Sequence, residues 1–221
     1  MHTFEKLVRE LTVEINGQYP RPWMTELIDP SVANVLVVGL NPASAYSIRS
    51  VDYERYINSL FNRDGETCKD FYLEVTRQSP TRGNIEKFSE KLKLAGVTNI
   101  LETNVNCYST KKSKDLSLPE HAGGREQGRR IFHSLVDQIK PRVIVVHGSG
   151  VAKELAKTFG LRKPWPSPPK SQDKIEQFDL TSSTTVFVIP SLALPGYNNW
   201  CRWAEGYMEK VAKHVAMILA C

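Results

Sequence analysis

Residues 34–44 read NVLVVGLNPAS, a β-branched apolar run that ends in glycine and passes directly into a polar turn. Such a run fits a strand buried on both faces better than one with a solvated side, because no polar residue alternates within it. Two further runs share this character: Val143–Val146 (VIVV), which follows Lys140-Pro141, and Thr184–Ile189 (TTVFVI), which stops at Pro190. A fourth, Val97–Val105 (VTNILETNV), follows the helix-ending Gly96 and carries enough apolar β-formers to join them. Helical periodicity occupies the intervals at 52–61, 84–95, 120–139 and 151–159, with further helices expected near 3–16 and 200–219. Strands that alternate with helices require right-handed crossovers, so the expected fold is α/β: three layers, α/β/α, around a central four-stranded parallel sheet.

At 221 residues the chain exceeds what one domain needs and is short for two, which predicts a single domain over 1–221. Within it, residues 1–30 form an N-terminal helical extension and the Pro- and Ser-rich stretch at 161–174 forms a surface loop. With 41% hydrophobic and 24% charged residues, the chain can bury a core. No window approaches a membrane span, and the opening segment mixes charge with apolar residues, so a cytoplasmic protein that does not engage a membrane is expected. Cys68, Cys107, Cys201 and Cys221 lie far apart with no Cys-x-x-Cys pair, which argues for free thiols rather than a zinc or iron–sulfur site. A net charge of +5 permits a polyanionic partner without requiring one.

In open parallel sheets ligands collect beyond the carboxyl ends of the strands. Here those ends are polar: Gly39-Leu40-Asn41-Pro42-Ala43-Ser44, Thr103-Asn104-Val105-Asn106, His147-Gly148-Ser149-Gly150 and Pro190-Ser191-Leu192-Ala193-Leu194-Pro195-Gly196. Amides at two neighbouring strand ends supply paired donors and acceptors, which suit the hydrogen-bonding edge of a nucleobase. Asn106 alternates to the other side of its strand and ranks below Asn104.

Gly39-Leu40-Asn41-Pro42 is similar to the first motif of the uracil-DNA glycosylase superfamily, whose mismatch-specific and single-strand-selective branches carry Gly-x-Asn-Pro after the first strand. Thr103-Asn104 resembles the end of the family strand whose asparagine reads the base. Val143–Gly150 resembles its third core strand and turn, and Pro190-Ser191-Leu192 its second motif, so the likeness spans about residues 34–200. It implies a monofunctional DNA glycosylase that hydrolyses the N-glycosidic bond of uracil or another deaminated base in double- or single-stranded DNA, as a monomer and without metal or other cofactor. Asn41 would position the attacking water, with Pro42 fixing its loop, and Asn104 would hold the base together with Leu40 and a stacking Tyr46. Ser44, Pro190, Ser191, Tyr197 and Arg202 would contact the DNA, and Leu192 or Leu194 would fill the space the extruded base vacates.

The chain departs from the family one residue before Pro190. Many members carry a histidine or asparagine there to stabilise charge on the departing base, whereas this chain has Ile189. His147, at the end of the third strand, is the candidate substitute. The same departure supports an alternative: a protein that keeps the fold and recognises DNA or a modified base without catalysis. A third reading, nucleotide binding at His147-Gly148-Ser149-Gly150, lacks the third glycine and a placed acidic residue.

Overall fold

The computed structural model describes residues 3–162 and 167–220. Helix α1 (Thr3–Leu11) is followed by the short strands β1 (Gln18–Tyr19) and β2 (Met24–Thr25), and then by β3 (Val35–Gly39). Strand β4 (Tyr46–Ser47) and helices α2 (Tyr53–Leu60), α3 (Cys68–Val75) and α4 (Pro80–Leu94) lead to β5 (Ile100–Asn104). Next come α5 (Gly124–Ile139), β6 (Val143–His147) and α6 (Ser149–Thr158). The remaining elements are β7 (Glu176–Thr181), β8 (Thr184–Ile189) and α7 (Cys201–Ala220).

Local chemistry sets several of these boundaries. Asp52 caps α2 by accepting from the Arg55 amide, and Thr67 and Asp70 form a reciprocal capping box at the start of α3. Ser79 caps α4, with Pro80 in the first turn, where its missing N–H costs nothing.

The fold is α/β, built on a mostly parallel sheet of six strands in the order β2-β5-β3-β6-β8-β7 rather than on the expected four parallel strands. All four expected strands are present as β3, β5, β6 and β8. Strands β3, β6 and β8 pair in parallel, from Val35↔Val143 and from Val143↔Thr185 onward. The two additions are antiparallel edges: β2 on β5, and β7 on β8 through a two-residue turn, Ser182-Ser183. Neither edge carries a continuous apolar run, because β2 is two residues long and β7 alternates half-buried with exposed positions. Residues 1–30 are also less helical than expected, since α1 ends at Leu11 and both β1 and β2 follow it. Of the 161–174 stretch, residues 163–166 lie outside the described residues, and the rest carries no helix or strand.

The chain forms two compact units. One comprises the residues up to Ala33 with Gly39–Arg77 and Leu101–Lys140. In it β1 pairs with β4, and an aromatic cluster forms as Tyr19 stacks on Tyr56 at 5.3 Å while Tyr46 meets Phe71 edge-on at 5.2 Å. The other comprises Asn34–Val38, Gln78–Ile100 and the residues from Pro141 onward. Its core joins Val35, Val37, Val143, Val145, Phe187 and Ile189 of the sheet to Phe88 and Leu92 of α4 and to Tyr207, Met208 and Val211 of α7. No helix among the described residues is long and apolar enough to cross a membrane.

Candidate functional site

In the first unit two backbone hydrogen bonds carry the strand pairing past its last residues: Val105 N to Gly39 O at 2.9 Å and Asn106 N to Leu40 O at 2.9 Å. They tie the loop bearing Asn41 to the end of β5, which bears Asn104. Thr110 N then donates to Pro42 O at 3.1 Å, closing the Asn-Pro turn onto the segment that follows β5.

The Asn41 amide is oriented by this arrangement. Its Nδ2 donates to Thr110 O and Thr110 Oγ1, both at 3.0 Å, and to Pro42 O at 3.2 Å. A backbone carbonyl can only accept, so nitrogen must face Thr110 and Pro42, and Oδ1 points elsewhere. Among the described residues Oδ1 meets no donor. Asn41 is half-buried, so its free carbonyl oxygen remains accessible to a water or a ligand. Asn104 is also half-buried, and among the described residues its side-chain amide has no hydrogen-bond partner, although its backbone carbonyl accepts from Cys107 Sγ.

The remaining candidates of this unit are placed differently. Tyr46 is 3% exposed and committed to the aromatic cluster against Tyr56 and Phe71. Burial pushes its phenol up to about 12, against the opposing effect of the Arg21 charge. It is a core residue and not a free platform for a base, which corrects the expected stacking role. Leu40 is half-buried, and the half-buried Ser44 offers its carbonyl to Arg21 Nη1 at 3.0 Å. Asn106 is buried, and its Oδ1 accepts from the Tyr108 amide at 3.0 Å, a structural role consistent with its lower rank.

In the second unit the turn after β8 is anchored at its backbone: Asn84 Nδ2 donates to Leu192 O at 2.9 Å, and Trp200 Nε1 to Ser191 O at 2.8 Å. Ser191 Oγ accepts from Ala193 N at 3.2 Å, so it shapes the turn. Two glycines make room for Ser191. A Cβ on Gly196 would stand 2.8 Å from Ser191 Cβ, and Gly148, at φ +99°, would bring one to 3.4 Å. Pro190 and Leu192 are buried, Leu192 completely, so Leu192 is packed in the core here and is not exposed as a wedge. Leu194 is 45% exposed and keeps that possibility. Tyr197 is half-buried against Trp200 at 5.4 Å, and Arg202 is exposed on the first turn of α7.

His147 and Ile189 face each other in the β6–β8 register. Ile189 is 1% exposed and belongs to the unit's core. His147 is 6% exposed, and among the described residues neither ring nitrogen has a hydrogen-bond partner. Burial, with the nearby Arg82 charge, pulls its pKa down to about 4. At neutral pH it is an uncharged imidazole, so what it could offer in place of a polar residue at Ile189 is a ring N–H and not a positive charge.

Thr110, Asn84 and Trp200 hold the candidate loops and were not identified from the sequence. Thr110 lies 69 positions from Asn41, and no local pattern marks a hydroxyl that will orient a distant amide. No cluster of His, Cys, Asp or Glu among the described residues could hold a metal ion, and no disulfide links Cys68, Cys107 or Cys201. No protein-family model matches the chain, and no curated protein matches its sequence.

Proposed function

We propose that this protein is a monofunctional DNA glycosylase that hydrolyses the N-glycosidic bond of uracil or another deaminated base in DNA. The observation that carries the proposal is the Asn41 amide, whose nitrogen is held by Thr110 and Pro42 so that Oδ1 is presented unpartnered. A carboxamide is too weak a base to remove a proton from water, so Asn41 acts by position. Its Oδ1 accepts a hydrogen bond from a water and aims that water's lone pair at C1′ as the sugar–base bond breaks; the base leaves with the bonding pair, and the water's proton passes to the departing base or to solvent. The unpartnered amide of Asn104, on the adjoining strand end, donates to a base carbonyl and accepts from the ring N–H. Neither step requires a metal or a nucleotide cofactor.

Ile189 favours a second reading, a protein of the same fold that binds DNA or a modified base without cleaving it. Its buried aliphatic side chain offers no stabilisation to a departing base, and the neutral His147 opposite it adds no charge.

Labelled oligonucleotides carrying uracil, hypoxanthine, xanthine or thymine, paired and single-stranded, separate the two readings when they are incubated with the protein and then cleaved at abasic sites with alkali. Product from at least one base is expected of the glycosylase. Salt-sensitive DNA binding with no product from any base would replace it with the non-catalytic reader.

A further inference from the structure

Arg21 is a half-buried cation set beside both loops that carry the candidate amides. Its backbone N–H donates to Cys107 O at 2.7 Å, three residues beyond Asn104, and its Nη1 donates to Ser44 O at 3.0 Å, three residues beyond Asn41. Its guanidinium carbon lies 4.7 Å from the centre of the Tyr46 ring and 4.9 Å from that of Tyr72. Both rings pack against the guanidinium. No carboxylate among the described residues pairs with it. The contrast within the same unit is sharp: Arg9, Arg55 and Arg63 each bind glutamate.

A guanidinium packed against aromatic rings keeps its N–H groups along its edge, where they lie in one plane. That edge fits the oxygens of a tetrahedral oxyanion, which accept in-plane N–H bonds in pairs. We infer that Arg21 binds a backbone phosphate of the DNA strand and so sets the position of the strand relative to Asn41 and Asn104. The inference rests on the proposed action on DNA and adds to it a strand contact that the sequence motifs do not include. Tyr46, expected to stack on the base, instead stacks on the cation that holds the strand.

The test is binding of an unmodified oligonucleotide, single-stranded and duplex, followed by fluorescence anisotropy across a potassium chloride series for wild type, Arg21→Gln and Arg21→Lys. Arg21→Gln is expected to weaken binding roughly ten-fold and to flatten the dependence of log Kd on log salt by about 0.7–0.9, the loss of one phosphate contact. Arg21→Lys keeps the charge but not the planar fork, so it should retain most of the salt slope while binding less tightly than wild type. An unchanged affinity and slope in Arg21→Gln, with only a lowered melting temperature, would make Arg21 a packing residue and overturn the inference. Stabilisation by millimolar inorganic phosphate that depends on Arg21, with DNA binding unaltered, would assign it to a small phosphate ligand and also overturn it. Failure of the wild-type protein to bind DNA at any salt would remove the proposed function itself, an outcome distinct from indifference to Arg21.

Discussion

His147 shows how much a single residue's surroundings decide. Its imidazole is buried with no hydrogen-bond partner among the described residues, and its pKa falls from 6.5 to about 4. The unfolded chain therefore binds a proton between those values that the folded chain refuses. Stability supplied by the neutral ring is fully present above pH 6.5 and is lost as pH falls toward 4, by roughly 3 kcal/mol over the window. Denaturant unfolding at pH 7.0 and pH 4.5 should show this loss in wild type and a much smaller one in His147→Phe; equal losses would place the acid sensitivity elsewhere. Asn41, Asn104 and His147 were identifiable in the sequence because each stands where a buried apolar run ends. What each does was less legible, because it depends on groups distant in the chain. Thr110 orients Asn41, Tyr56 and Phe71 absorb Tyr46, and the protein interior neutralises His147.

Among the elements, α5 shows how a helix can be held close to the segment that follows β5. A Cβ on Gly128 would lie 1.9 Å from Asn106 Oδ1 and 2.8 Å from the Tyr108 backbone nitrogen, and one on Gly124 would lie 2.5 Å from the Tyr108 ring. Asn106 cannot swing aside, because it is buried and its Oδ1 already accepts from the Tyr108 amide. The helix preference for alanine, worth about 1 kcal/mol, is outweighed by that overlap, and Gly128→Ala should destabilise the protein by about 1–3 kcal/mol. Gly83, within α4, has nothing within 4 Å of an added Cβ, and Gly83→Ala should stabilise by about 0.5–1 kcal/mol. Chemical denaturation of both variants checks the pair, and a shared sign would contradict the packing argument. Helices with a long apolar face and strands buried on both sides were legible in the sequence. Strand β7, which reads EQFDLT, was not, since it gains its place by pairing with β8. Helix α3 did carry a signal, the Thr67-x-x-Asp70 capping box ahead of a short mixed segment.

For the whole molecule, the alternation of buried strands with helices was enough to read an α/β protein with a parallel sheet, and the edges were not. The sheet runs to six strands because two segments without apolar runs add themselves antiparallel at β5 and β8. The two compact units were equally hidden, since their segments interleave along the chain and no linker or change of composition marks a boundary. The positive net charge agrees with an anionic partner but is too general to name one. The specific claim is that an amide held by Thr110 and Pro42 activates hydrolysis through position alone. Single-turnover release of the preferred base by wild type and by Asn41→Ala, on the same oligonucleotide at saturating protein, measures this directly. A fall of about 100-fold or more with oligonucleotide binding retained is predicted; equal rates, or no release by wild type from any base, would contradict it.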